Sequence, residues 1–471
     1  MVFSSVIFIF YFLPITLLLY YFVPAKAKNI VLLLLSLVFY AWGEPKVVFL
    51  MLALIGLDYG LGLAFESFAC RKLLLILGII LNIGFLFFYK YLNFSIDIFN
   101  DLLSFAHIHR KYPHWNIVLP IGLSFYTFQG LSYVIDVYRG TVKAQKSPIK
   151  LALYIAMFPQ LIAGPIVRYT EIEKYLDKKN LSLENTAEGA SRFIYGLGKK
   201  VMIADVLAKT VDEIFTTGVT QLTTPVAWIG AVLYMLQIYY DFSGYSDMAI
   251  GLGRMLGFRF SENFNYPYTS KTISEFWRRW HISLGSWFRD YLYIPLGGSR
   301  TGNVYFNLAV VFVVTGLWHG AEWNYVLWGL WHGAFVLFER KLKKTLNCQS
   351  NLGMEFLGRV YTGIVVLLGW VLFRSVSIPY AKNYIRLMFG YQFQDDFLLY
   401  NIWHYIDAQV IATAVVGVLL ATGVTRRINS SMSRNNTLAL AFKYLGALFV
   451  LFFSLSMVIN GNYSPFIYFR F

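Results

Sequence analysis

Charge is the scarcest ingredient of this chain. Only 14% of its 471 residues are Asp, Glu, Lys or Arg, where soluble domains carry about 25%. That excludes an ordinary water-exposed surface. Acidic residues are scarcest, 25 against 40 basic ones, leaving a formal net charge of +15. Cysteine occurs twice, as Cys70 and Cys348, with no metal-ligand spacing around either; a disulfide scaffold and a zinc module are both excluded. There is no Pro/Ser-rich linker, no low-complexity tract and no internal repeat. The halves do not mirror each other, which weighs against a transporter built from inverted repeats. The signatures of soluble enzymes are missing as well. No G-x-S-x-G elbow, P-loop or H-E-x-x-H occurs, and Gly251-Leu-Gly253 does not continue as a dinucleotide fingerprint. No basic n-region precedes the first apolar run, so Val2–Val23 reads as a retained helix, not a cleaved signal peptide.

What fills the chain is apolar. Hydrophobic residues make up 58% and aromatics 19%, and the mean hydropathy is +0.56. Val2–Val23, Ile30–Trp42, Val47–Phe65, Leu73–Tyr89 and Ile117–Val137 fit or approach the roughly 20 residues that cross a bilayer. Further candidates are Leu151–Val167, Phe193–Val211, Val226–Met248, Tyr305–Trp318, Val326–Phe338, Tyr361–Phe373, Ile406–Val424 and Leu445–Ile459. The expectation is an all-α polytopic membrane protein with roughly 10–13 embedded segments, some of them re-entrant.

The basic excess sits between these runs, as positive-inside loops require, so nucleic acid is not an expected partner. Lys26/Lys28, Arg71/Lys72, the Glu339–Lys344 run and Arg426/Arg427/Arg434 are placed in the cytoplasm, and Met1 outside. Both cysteines adjoin those loops and read as structural thiols, with palmitoylation as the alternative. Residues 1–471 form one membrane domain. Within it, 1–147 and 341–471 read as scaffold. The more polar stretch 148–340, punctuated by Gly and Pro, reads as the core.

That core holds His281, His319 and His332, three of seven histidines. An ionisable group at membrane depth is costly and is a functional-site hypothesis by default. Ile273–Tyr293 reads as an amphipathic helix, with Trp277, His281, Leu284, Phe288 and Tyr291 on an aromatic face. Arg278, Arg279 and Arg289 fall elsewhere, and Glu275 is spaced to pair with Arg279. An interfacial helix whose arginines meet lipid headgroups fits this pattern equally well. His319 ends a continuous apolar run. It is either a general base kept neutral by desolvation or a core histidine satisfied by a carbonyl. His332 lies 13 residues later, about 20 Å along an unbroken helix and on its far side. The two share a site only if the chain breaks at Gly320–Asn324. Asp241-Phe-Ser-Gly-Tyr-Ser-Asp247 reads as a helix break, with its acids paired to Arg254 or Arg259 or lining a polar elbow.

Five segments together resemble the membrane-bound O-acyltransferase (MBOAT) family: Phe158–Arg168, Asp241–Asp247, Glu262–Pro267, Phe276-Trp-Arg-Arg-Trp-His281 and Gly316-Leu-Trp-His-Gly320. The opening Met1-Val-Phe-Ser-Ser and the closing Phe466–Phe471 are similar to its bacterial branch that O-acetylates polysaccharides such as alginate. The resemblance spans essentially the whole chain.

It implies acyl transfer by a ring of helices around a central tunnel, in a multi-pass protein of the bacterial inner membrane. His319 matches the family's essential histidine and His281 the second, upstream position. The implied donor is a cytoplasmic acyl thioester, acetyl-CoA, with no bound cofactor and no metal. Trp280, Trp287, Trp318 and Trp323 are expected to wall the tunnel, with Asn324 and Gln160 among the substrate-binding residues. Arg278 and Arg279 are expected at the donor's phosphates. The implied partners are membrane lipid and a separate extracytoplasmic acetyltransferase that carries the acetyl group onward. Two rivals stand beside this reading. One is D-alanyl transfer to teichoic acid within the same family; the other is a polysaccharide transporter or flippase.

Overall fold

The computed structural model describes residues 1–345, 351–391, 400–424 and 437–461. Cys348, Arg426, Arg427, Arg434 and the closing Phe466–Phe471 motif lie outside the described residues. The described chain is helical throughout, without a strand. Among the described residues, four helices are long and apolar enough to cross a bilayer: Val48–Ser67, Arg71–Phe105, Leu352–Arg374 and Leu440–Asn460. Phe8–Phe22, Lys28–Ala41, Val304–His319 and Ala408–Ala421 are shorter apolar helices. The protein is thus an all-α polytopic membrane protein. Its described residues form two compact units.

The first unit comprises Met1–Gly189, Leu252–Ser261 and Gly320–Glu322. The expected Leu151–Val167 span is interrupted. A helix over Pro148–Ala156 ends before a single turn, Phe158–Leu161, because Pro159 cannot supply a backbone N–H. The chain there is held by the Ser36 hydroxyl, which accepts from the Phe158 N–H at 3.1 Å. Phe3, Phe8, Phe12 and Phe39 close around the Phe158 ring. Lys28 is not a solvated loop charge. It is buried, and its ammonium donates to the Tyr20 carbonyl at 2.5 Å above that residue's ring.

The second unit comprises Ala190–Gly251, Glu262–His319 and the described residues from Trp323 onward. Here the expected break at Gly244 does not occur: Thr224–Met255 is one continuous helix. Gly244 serves close approach instead. A Cβ on it would lie 2.8 Å from the Gly196 carbonyl oxygen, and one on Gly196 would lie 2.7 Å from that of Gly244. Just after Gly196, a π-helical turn over Lys199–Ala204 carries two consecutive lysines. Lys200 Nζ lies 2.6 Å from Asp205 and 2.7 Å from Asp241, all three buried or nearly so. Lys199 Nζ lies 2.5 Å from Asp247, which also receives Arg192 at 2.8 Å. The acids of the 241–247 segment therefore pair with these cations, and not with Arg254 or Arg259. Arg254 pairs with Glu188 in the first unit.

Removing the Lys200 charge strands two buried carboxylates. Lys200→Met should cost about 3–5 kcal/mol of stability. Lys199→Met should cost clearly less, because Asp247 keeps Arg192 and is partly exposed. Thermal unfolding of the two variants in detergent checks the order; equal losses contradict it.

Candidate active site

Everything in this subsection belongs to the second unit, except where stated. Ile273–Tyr293 is not the single amphipathic helix that its periodicity suggests. It divides into helices Ile273–Arg279 and Ile282–Phe288, followed by a π-helical turn over Arg289–Tyr293. The first helix starts at a Thr-x-x-Glu signal. Thr272 Oγ1 accepts from the Glu275 N–H at 3.0 Å. The neighbouring N–H groups of Ile273 and Ser274 are received by the Glu339 carboxylate at 2.5 and 2.9 Å. Glu339 thereby ties this helix to Trp323–Thr345, which explains why an acid stands in a basic run. The predicted Glu275–Arg279 pair is present at 2.6 Å.

Glu339→Gln leaves one amide oxygen to receive N–H groups that now share two carboxylate oxygens. It should lower thermal stability by about 1–3 kcal/mol. A melting curve indistinguishable from wild type contradicts that.

Between the two short helices the backbone turns sharply at His281, which adopts a left-handed conformation with φ 45°. A non-glycine residue there is strained by about 1–2 kcal/mol, and such strain persists only where surroundings hold it. Asn263 supplies the hold. Its carbonyl accepts from the Ile282 N–H at 3.0 Å, and its side-chain Oδ1 lies 3.2 Å from His281 Nδ1. The imidazole packs edge-on against Phe242, with centroids 4.6 Å apart. His281 lies in a turn between helices too short to span, and burial lowers its pKa from 6.5 to about 3.

His319 is the last residue of Val304–His319, and the chain breaks over Gly320–Glu322 before Trp323–Thr345 begins. These helices pack with backbones almost touching. A Cβ on Gly316 would overlap the Tyr325 carbonyl, and one on Gly329 would overlap the Phe312 carbonyl. Such small-residue contacts let helices approach where bulk is unwelcome. The approach seats the buried His319 ring edge-on to Trp328 at 4.9 Å and to Phe373 at 5.3 Å. Trp318 stands beside it at 5.0 Å and also contacts His281, at 5.9 Å. The two buried imidazoles thus contact the same indole.

His332 joins the same aromatic cluster. The far-side placement assumed an unbroken helix, and the break removes that assumption. Trp328 contacts both His319 and His332, the latter at 5.2 Å. Phe276 stacks on His332 at 6.3 Å and Trp277 meets it edge-on at 5.2 Å.

The other expected residues divide. Trp280 is buried against Phe264 and Trp370, at 5.0 and 4.9 Å. Trp287 is buried beside Phe288 and Tyr291. Trp323 is 53% exposed. Asn324 is buried and donates to the Ser375 carbonyl at 2.9 Å. Arg278 is exposed, while Arg279 is spent on Glu275 and on Thr269 at 3.0 Å. Gln160 belongs to the first unit, where it donates to the Tyr154 carbonyl. Among the described residues no three His, Cys, Asp or Glu side chains gather into a metal-binding group.

Sequence reasoning gave no role to Asn263, Trp277, Trp328, Trp370 or Phe373. Asn263 lies inside the Glu262–Pro267 motif. Trp328 follows the histidine by nine residues, a spacing that carries information only once the helix break is known.

The family profile described as MBOAT, membrane-bound O-acyltransferase family, matches residues 144–382. The chain is 43% identical over 397 residues to a probable alginate O-acetylase AlgI of Azotobacter vinelandii, covering 83% of this chain and 78% of that protein. A probable alginate O-acetylase AlgI of Pseudomonas putida is 38% identical over 496 residues, with both chains fully covered. A peptidoglycan O-acetyltransferase of Helicobacter pylori is 36% identical over 427 residues, covering 83% and 80%.

Proposed function

Because the chain belongs to the membrane-bound O-acyltransferase family, we propose that it moves an acetyl group from cytoplasmic acetyl-CoA for O-acetylation of a cell-surface or exported polysaccharide. The observation that carries this reading is the buried His319 ring, walled by Trp318, Trp328 and Phe373, with the buried His281 in contact with the same Trp318. A desolvated imidazole is neutral at pH 7 and accepts a proton. The acceptor hydroxyl oxygen attacks the thioester carbonyl carbon while His319 takes its proton. The C–S bond breaks, and the proton passes to the departing thiolate. Tryptophan walls exclude water, whose attack would waste the thioester. The relatives named for alginate and peptidoglycan O-acetylation support acetyl as the group and sugar hydroxyls as its destination. That hydroxyl belongs to the sugar itself or to an extracytoplasmic acetyltransferase that hands the group on. The positive-inside loops put Met1 outside and the donor's side in the cytoplasm.

Purified protein in lipid discs, given radiolabelled acetyl-CoA and the polysaccharide of its own cells, should release CoA thiol and form base-labile acetyl ester. If that mixture needs an extracytoplasmic partner, labelled acetyl should still reach the polysaccharide in intact cells. Ester-linked D-alanine on the product, or polysaccharide acetylation that is unchanged by deleting the gene, would sink the proposal.

A further inference from the structure

Asn263 lies in the segment between the helices Thr224–Met255 and Ile273–Arg279, 1% exposed, and its side chain is a hub. Oδ1 lies 3.2 Å from the Ser283 backbone nitrogen, 2.9 Å from Ser283 Oγ and 3.2 Å from His281 Nδ1. Nδ2 lies 3.1 Å from Ser246 Oγ. A backbone N–H only donates, so the atom facing Ser283 N is the amide oxygen, and the orientation of the amide follows from its neighbour. An amide oxygen only accepts, so His281 Nδ1 must bring the hydrogen. Ser283 Oγ stands 3.5 Å from the same nitrogen. Its own hydrogen is committed to Asn263, so it offers Nδ1 a lone pair. Both contacts call for Nδ1–H. A neutral imidazole carries one ring hydrogen, so the lone pair falls to Nε2.

We propose that Asn263 is a positioning residue that locks His281 as the Nδ1–H tautomer, so that Nε2 meets substrate as a hydrogen-bond acceptor for a hydroxyl and not as a donor to the thioester carbonyl. This rests on the reading that His281 belongs to the acyl-transfer site. In a polyhydroxylated acceptor, a hydroxyl beside the reacting one supplies the hydrogen. The same asparagine holds the strained turn, since its carbonyl receives the Ile282 N–H. Orientation and tautomer are therefore set by one side chain. Burial keeps the ring neutral, as the lone pair at Nε2 requires.

Asn263→Asp is the informative variant. It keeps acceptor oxygens toward Nδ1–H and Ser283, and its carboxylate favours the imidazolium. An imidazolium has no lone pair. The KM for the hydroxyl acceptor should therefore rise as pH falls, by up to about tenfold per pH unit below the raised pKa. The KM for acetyl-CoA should follow the wild-type profile. A merely structural role lowers activity uniformly with pH, and an unchanged acceptor-KM profile in a folded Asn263→Asp protein overturns the proposal. Should that variant not fold, nitrogen-15 histidine spectra of the wild-type protein decide. His281→Asn, which tolerates the left-handed backbone, assigns the signal, and an Nε2–H tautomer there overturns the proposal. Failure of the broader reading looks different: His319→Gln would retain acetyl transfer.

Discussion

Replacing His319 by Gln should lower acetyl transfer by about 10²–10⁴-fold, the range that general-base catalysis supplies, while the protein still accumulates in the membrane. Glutamine has a similar reach and hydrogen-bonds, but it does not take a proton near neutral pH. The ring's neighbours Trp318, Trp328 and Phe373 stay in place, so packing changes little and the loss falls on the chemical step. The rate of acetyl transfer per folded molecule is the measurement. If His319 were only a packing element, the Gln variant would keep most of its activity and melt at a lower temperature. The outcomes separate the two alternatives that the isolated sequence leaves open at this residue.

Gly329→Val should have the second largest effect on activity, through structure. Its Cβ would overlap the Phe312 carbonyl, which is backbone and has no rotamer to escape into. The helices Val304–His319 and Trp323–Thr345 must then separate, and His319 loses its seat against Trp328. Overpacking typically costs about 1–3 kcal/mol, and a clash with main chain belongs at the upper end. We expect a lower melting temperature and activity near background. Gly363→Ala is the control. Nothing lies within 4 Å of the Cβ built there, and in a helix interior alanine is favoured by about 1 kcal/mol. That variant should be as stable as wild type or more so. Similar losses in both would show that the glycine contact is not what seats His319.

Composition and hydropathy made the fold class legible. Fourteen per cent charge and repeated apolar runs admit few alternatives to membrane helices. Local spacing was reliable where the chain stays helical, as at Glu275 and Arg279. It misled where a helix stops or continues for reasons outside its own sequence. His281 turns left-handed because Asn263 receives it, and no periodicity reports that. Thr224–Met255 continues through Gly244 because that glycine meets Gly196, so a residue that reads as a breaker is a contact. Lys28 reads as a loop charge, yet it is buried under a tyrosine ring.

The same division governs the site. That His281 and His319 are costly residues in an apolar context is a property of the sequence, because the desolvation of an imidazole depends mainly on its surroundings' polarity. That they contact one indole is a property of the tertiary structure. It depends on a helix ending at His319 and on glycines admitting the next helix at backbone contact. Contacts between residues far apart in sequence are decided by which surfaces can approach, and a linear pattern carries only half of each surface. Few charges and three histidines in an apolar core therefore mark candidates from the sequence alone. Only the packing of Trp318, Trp328 and Phe373 around His319, and of Trp318 and Asn263 against His281, brings them into one aromatic cluster.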